Sequence, residues 1–152
     1  CLTKIKWGIW YILITDKNGK INKIILKNMK KILPLGFHAI NLTLIIFYLY
    51  PGSLLGLLFY NDSSIQPQIT KDFLISSNHF YAFIILSIVG VTAYNKSNKI
   101  NILIKYLFLL SILLEFFHFI IPNRSFELSD LFGNFSGIIL VITFYKIKNK
   151  YA

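Results

Sequence analysis

The sequence predicts an all-α integral membrane protein, a bundle of about four transmembrane helices with both termini cytoplasmic. Three observations carry this expectation. Of the 152 residues, 55% are hydrophobic and only 14% charged, whereas a soluble domain carries about 25% charged residues; mean hydropathy is +0.62. Four apolar runs, at residues 32–50, 79–94, 100–121 and 131–145, lie near or slightly below the roughly 20 residues a helix needs to cross about 30 Å of hydrocarbon. The lysines gather on alternate connections between them.

Residues 1–28 are expected to be a leader or an upstream segment from an over-extended gene start, because Met29, the only Met, opens "MKKILPLGF". A mature lipoprotein also begins with Cys, but "CLTKIKW" offers no visible signal peptide, so lipidation is not expected. If the segment is translated, "WYILITDKNGKINKIIL" has apolar runs on both sides of Asn18-Gly19. That pattern predicts a small hairpin or an amphipathic element at the membrane surface. Residues 29–152 form one membrane domain.

The first run breaks at Tyr50-Pro51-Gly52-Ser53. "LLGLLFY" after it is too short to cross alone, so it lies at the interface or extends the first helix after a kink. "NDSSIQPQITKD", residues 61–72, has the composition of a water-exposed loop. The second and fourth spans read as short, which calls for flanking polar residues or a locally thinned bilayer.

Basic residues near a span are retained on the cytoplasmic side. Lys30 and Lys31 precede the first span, Lys96 and Lys99 separate the second and third, and Lys146, Lys148 and Lys150 follow the fourth. The other connections are close to neutral, so they face outward. Sixteen Lys and Arg against six Asp and Glu give a net charge of +10. The basic residues flank apolar runs and form no stripe along a polar helix, which argues against a nucleic-acid partner. The single Cys excludes an intramolecular disulfide and a Cys-based metal site.

Residues 113–137, "LLEFFHFIIPNRSFELSDLFGNFSG", place five ionisable groups in greasy surroundings. A charge there costs several kcal/mol unless paired, hydrated or neutralised. Glu115 and His118 are three apart and share a helix face. Pro122 stops the helix, Asn123 and Arg124 occupy the turn, and Ser129 or Asp130 can cap the next helix. Asp130, Asn134 and Gly137 then make a stripe on one face, and Gly133 and Gly137 form a small-xxx-small pair. The last two spans are therefore expected to make a tight hairpin with Glu115, His118, Arg124, Asp130 and Asn134 converging at its outer end, within reach of His79.

Two readings of that convergence stand. Arg124 neutralises Glu115 or Asp130 and the network only fixes helix register, or the groups line a site. Glu-x-x-His is also a spacing found in metal-carboxylate bundles. Those bundles need two copies and only one is present, so no metal and no cofactor is expected, although His79 and His38 are the further candidates. His38 by itself reads as a helix-packing or interface residue. Ser76, Ser77 and Ser129 lack a nucleophile motif around them.

"EFFHFIIPNRSFELSDLFGNFSG" resembles the signature of the VanZ-like family of small bacterial membrane proteins. In that signature a helix carrying Glu leads to a Pro and Arg turn, then an Asp, then Asn and Gly in the last helix. Glu115, Arg124, Asp130, Asn134 and Gly137 stand on those positions, and "NHFYAFIILS" resembles the family's His-Phe segment, which gives His79 a family role. The resemblance covers roughly residues 33–145. The chain departs from it at "LISSNHF", where Asp-Lys is common shortly before the His, and at His118, where Gln is common.

The resemblance implies a multi-pass protein of the bacterial plasma membrane with a cell-envelope role; the family is named for members that raise resistance to the glycopeptide teicoplanin. Two functions are then expected. In the first, an outward polar pocket binds an envelope lipid, its headgroup or an amphiphilic glycopeptide. In the second, an enzyme uses Glu115 or Asp130 as base and His79 or His118 as acid or base on such a substrate. Binding leads, because neither a phosphate-cradling Gly-rich motif nor an evident nucleophile is present.

Overall fold

A computed structural model of the chain describes residues 23–151 except 73 and 96. They form five helices: α1 (Lys23–Leu49), α2 (Leu54–Tyr60), α3 (Ser77–Tyr94), α4 (Ile100–Phe117) and α5 (Leu128–Tyr151), with no strand among the described residues. All but α2 are long and apolar enough to cross a membrane. By length and composition, then, the chain is a multi-pass membrane protein.

The spanning part of α1 is Lys31–Leu49, but the helix itself starts at Lys23. The second arm of the expected hairpin is thus helical from Lys23 onward, and its turn at Asn18-Gly19 lies outside the described residues. Nothing between Lys23 and Ile32 breaks a helix, and each added residue gains a backbone bond once a helix exists. Pro34 lacks the N–H that would reach back one turn, yet it lies inside the helix. Tyr50, placed before Pro51, is disfavoured in the α region, and Gly52 takes a positive φ of 78°. The chain turns there. Ser53 Oγ then accepts from Gly56 N at 2.9 Å and starts α2 as a separate short helix, closed by Asn61 at φ 56°.

The loop over residues 61–76 is exposed over most of its described residues but held by side chains. Asp62 Oδ1 accepts from Ser64 N at 2.8 Å, Asn78 Nδ2 donates to Pro67 O at 2.6 Å, and Asp72 Oδ1 accepts from Ser77 N at 2.7 Å. The last contact puts a carboxylate at the positive end of α3, where it is favoured.

Two boundaries differ from expectation. The helix expected to run to residue 121 ends at Phe117, and the next turn tightens through His118 N to Glu115 O at 3.1 Å and Phe119 N to Phe116 O at 3.2 Å; such i to i+3 bonds are a common way for a helix to close. The fourth span, expected to be short, is 24 residues long, about 36 Å, because no breaker separates the apolar run from the lysine-bearing tail. Leu128 opens it, so Ser129 and Asp130 lie in its first turn and do not cap it.

Phe83, Leu86, Leu107 and Ile138 are fully buried between the helices. Apolar side chains such as Ile32, Leu35, Leu42, Ile102, Leu109 and Phe144 point outward and are exposed, the distribution a helix bundle has in lipid. The tightest neighbours are α3 and α5. Gly133 and Gly137 explain this, since a Cβ on Gly133 would stand 2.7 Å from Ser76 O and one on Gly137 2.6 Å from Phe80 O. The small-residue pair therefore serves contact with α3, whereas the sequence pattern assigned the tight hairpin to α4 and α5. A small-xxx-small motif marks one side of a contact and leaves the partner unnamed.

Candidate functional site

Because the spans alternate in direction, the C-terminal ends of α1 and α4 meet the N-terminal ends of α3 and α5. Tyr48, His79, Glu115, His118, Asp130 and Asn134 therefore collect at one end of the bundle, together with Arg124 from the α4–α5 turn. His38 is at the other end, 3.2 Å from Tyr94 Oη, and is excluded from the group.

Glu115 is completely buried, His118 is 2% exposed and His79 5% exposed. His79 Nε2 lies 3.2 Å from Asp130 Oδ2, and His118 Nδ1 lies 3.3 Å from Glu115 Oε1. The latter is the pairing expected from the i,i+3 spacing. His118 Nε2 also lies 3.1 Å from Tyr48 O. Both contacts of His118 are hydrogen bonds together when the ring carries both protons, or when Glu115 holds the proton and donates to Nδ1. Glu115 Oε1 receives a further bond from Glu127 N at 2.9 Å, which ties the turn back onto α4. Tyr48 Oη donates to Asn134 Oδ1 at 2.8 Å, and the Tyr48 ring stands edge-on to His79 at 4.8 Å between centroids.

Arg124 forms no ion pair with either carboxylate among the described residues. It donates instead from Nε to Tyr50 O at 3.3 Å and from Nη2 to Phe47 O at 3.2 Å. These carbonyls lie at the C-terminal end of α1, where helical acceptors lack partners and a cation is favoured. Burial pulls the guanidinium pKa below its ordinary value, and the nearby Asp130 charge opposes that shift. The idea that Arg124 simply neutralises Glu115 or Asp130 therefore gives way to a helix-capping contact that, among the described residues, leaves the Nη1 side of the fork without a protein hydrogen bond.

Among the described residues, three buried atoms of the group have no hydrogen-bond partner: His79 Nδ1, Glu115 Oε2 and Asn134 Nδ2. Each such atom costs about 1–3 kcal/mol if left so.

A cavity of about 320 Å³ opens beside the group, between α1, α2, the 61–76 loop and α3. Its walls are mainly apolar, including Leu44, Phe47, Leu54, Ile69 and Ile85, and its polar lining includes His79, Arg124, Asn78 and Gln66. Glu115 and Asn134 are buried and are not part of its lining. Tyr48 and the α2 region were not anticipated as parts of the site. A Tyr at the end of a span reads as an interfacial residue, and its partner Asn134 is 86 positions away. The serines have structural partners: Ser77 Oγ donates to Thr70 O at 2.6 Å and Ser129 Oγ to Glu127 Oε2 at 3.3 Å. Chemically, the arrangement offers an imidazole oriented by a carboxylate, a second buried carboxylate and a guanidinium beside an apolar groove. No family model, curated protein or solved structure matches the chain.

Proposed function

We propose that this is a VanZ-like envelope protein of the bacterial plasma membrane, with both termini cytoplasmic, that binds an anionic amphiphile in the groove between α1 and α3. The ligand class is an envelope lipid or an amphiphilic glycopeptide of the teicoplanin type. One observation carries the reading: a mainly apolar groove of about 320 Å³ has Arg124 and His79 in its lining. An acyl chain suits the apolar walls, and a phosphate or carboxylate suits the free edge of the guanidinium. The lysines at the opposite end of the bundle support the orientation through retention of positive charge on the cytoplasmic side.

The second reading, acid–base chemistry on the same ligand, is favoured by the His79–Asp130 contact at 3.2 Å, which orients an imidazole lining the groove.

The test compares wild type, Arg124→Ala and Arg124→Lys for thermal stability in detergent, for retention of phosphatidylglycerol over phosphatidylcholine by native mass spectrometry, and for cellular sensitivity to a lipid-linked glycopeptide. Arg124→Ala is expected to lose stability and binding. Arg124→Lys should recover most of the stability but not the binding, because an ammonium cannot reproduce a planar two-point contact. A Lys variant that is stable, lipid-selective and fully active would sink the proposal.

A further inference from the structure

We infer that His79, Glu115 and Asp130 form a binding site for a divalent transition-metal ion, best matched by Zn²⁺. The inference is independent of what occupies the groove. One donor atom from each residue lies within 4.8 Å of the other two, and the three come from α3, α4 and α5. Bonds of about 2.0–2.2 Å to nitrogen and oxygen at a tetrahedral angle place donor atoms about 3.3 Å apart. His79 Nε2 and Asp130 Oδ2 already stand at 3.2 Å, the spacing of two ligands on one such ion.

Charge points the same way. Two carboxylates this close in a buried setting repel unless they share a proton or a cation. No Lys or Arg pairs with Glu115 or Asp130 among the described residues; each carboxylate meets an imidazole, His118 at 3.3 Å and His79 at 3.2 Å, and Arg124 is engaged with carbonyls of the α1 end. The hydrogen-bond pattern adds an independent sign. Glu115 is wholly buried, its Oε1 is held by Glu127 N and His118 Nδ1, and its Oε2 has no partner. One oxygen anchored by outer contacts with the other left over is how a ligating carboxylate is commonly held. Imidazole with two carboxylates and no thiolate is a borderline-hard donor set, suited to Zn²⁺ and accessible to Co²⁺ and Mn²⁺. Three protein ligands leave a coordination position for water or for an anionic group of a ligand.

The experiment uses the full chain in detergent, stripped with EDTA and titrated with Zn²⁺ by equilibrium dialysis and with Co²⁺ by its visible ligand-field bands. The expected result is one ion per chain, Co²⁺ bands of low coordination number that Zn²⁺ abolishes, and a rise in thermal midpoint with Zn²⁺. Glu115→Gln and Asp130→Asn should each weaken binding more than about 100-fold, and His118→Gln, which touches only the outer contact, about 10–100-fold. His38→Ala, at the far end of the bundle, should bind as wild type does. Asp130 is only partly buried, so Asp130→Asn carries the test should Glu115→Gln fail to fold. Absence of Zn²⁺ binding by the folded wild type, undiminished binding in Asp130→Asn, or loss of binding in His38→Ala would each overturn the assignment. A shared proton in place of a metal gives the first of these results.

Discussion

Adding one methyl group at Gly137 tests the packing that sets His79 against Asp130. A Cβ at this position would lie 2.6 Å from Phe80 O, 3.1 Å from Ile84 N and 3.3 Å from Phe83 Cβ. Two of the obstacles are α3 backbone, which cannot swing aside as a flexible side chain would. The helices must instead part by roughly 0.8 Å to restore ordinary contact, and a gap of 0.5–1 Å forfeits about a quarter to a half of the dispersion well at each facing atom pair. Overpacking costs about 1–3 kcal/mol, and a rigid obstacle puts this site near the upper figure. Ala gains up to about 1 kcal/mol over Gly in a helix, so Gly137→Ala should lose about 2 kcal/mol net. Gly36 on α1 is the control, because a Cβ there meets nothing within 4 Å; Gly36→Ala should be neutral or gain up to about 1 kcal/mol. Unfolding in mixed micelles with rising SDS, followed by far-UV circular dichroism, reads both variants. Equal stability of the two, or a Gly137→Ala variant more stable than wild type, would refute the close approach of α3 and α5.

Two further outcomes are expected. Tyr48→Phe removes the bond to Asn134 Oδ1 from a side chain whose Nδ2 already lacks a partner, and should lose about 1–3 kcal/mol in the same assay; an unchanged midpoint would show that this bond contributes nothing. Cysteines placed at Thr70 and Ser125, both exposed in connections at the site end, in a Cys1→Ser background, should react with a membrane-impermeant reagent in intact cells. Protection of both until lysis would reverse the proposed orientation.

The spans were legible because lipid asks for apolar residues on nearly every face of a helix, so the runs stand out without any knowledge of neighbours. Their ends were less so. α4 stops at Phe117 because a turn with Asn123 at φ 60° and the bond from Glu127 N to Glu115 shape the connection, and those depend on chain already folded back. The membership of His79, Glu115, His118, Arg124, Asp130 and Asn134 was legible from the cost of polar groups in apolar runs. Their partners were not. Arg124 reaches carbonyls 74 and 77 positions away, and a backbone acceptor carries no mark in the residue alphabet. Tyr48 was hidden for a related reason, since its side chain and its carbonyl serve two different residues far along the chain.

The bond between Glu127 N and Glu115 bears on the order in which the chain enters the bilayer. During synthesis α4 is inserted before the segment after Pro122 exists, and at that stage Glu115 has only His118, just past the end of α4, as its nearby sequence neighbour for a bond. Tyr48, made far earlier, waits still longer for Asn134. A ribosome stalled or a gene truncated before α5 would thus release a three-span fragment with an incompletely solvated carboxylate at membrane depth, a form suited to recognition by membrane quality-control proteases. Co-expressing residues 1–125 and 126–152 as separate pieces should rescue the first from degradation, because the second supplies the missing donor and the glycine face together.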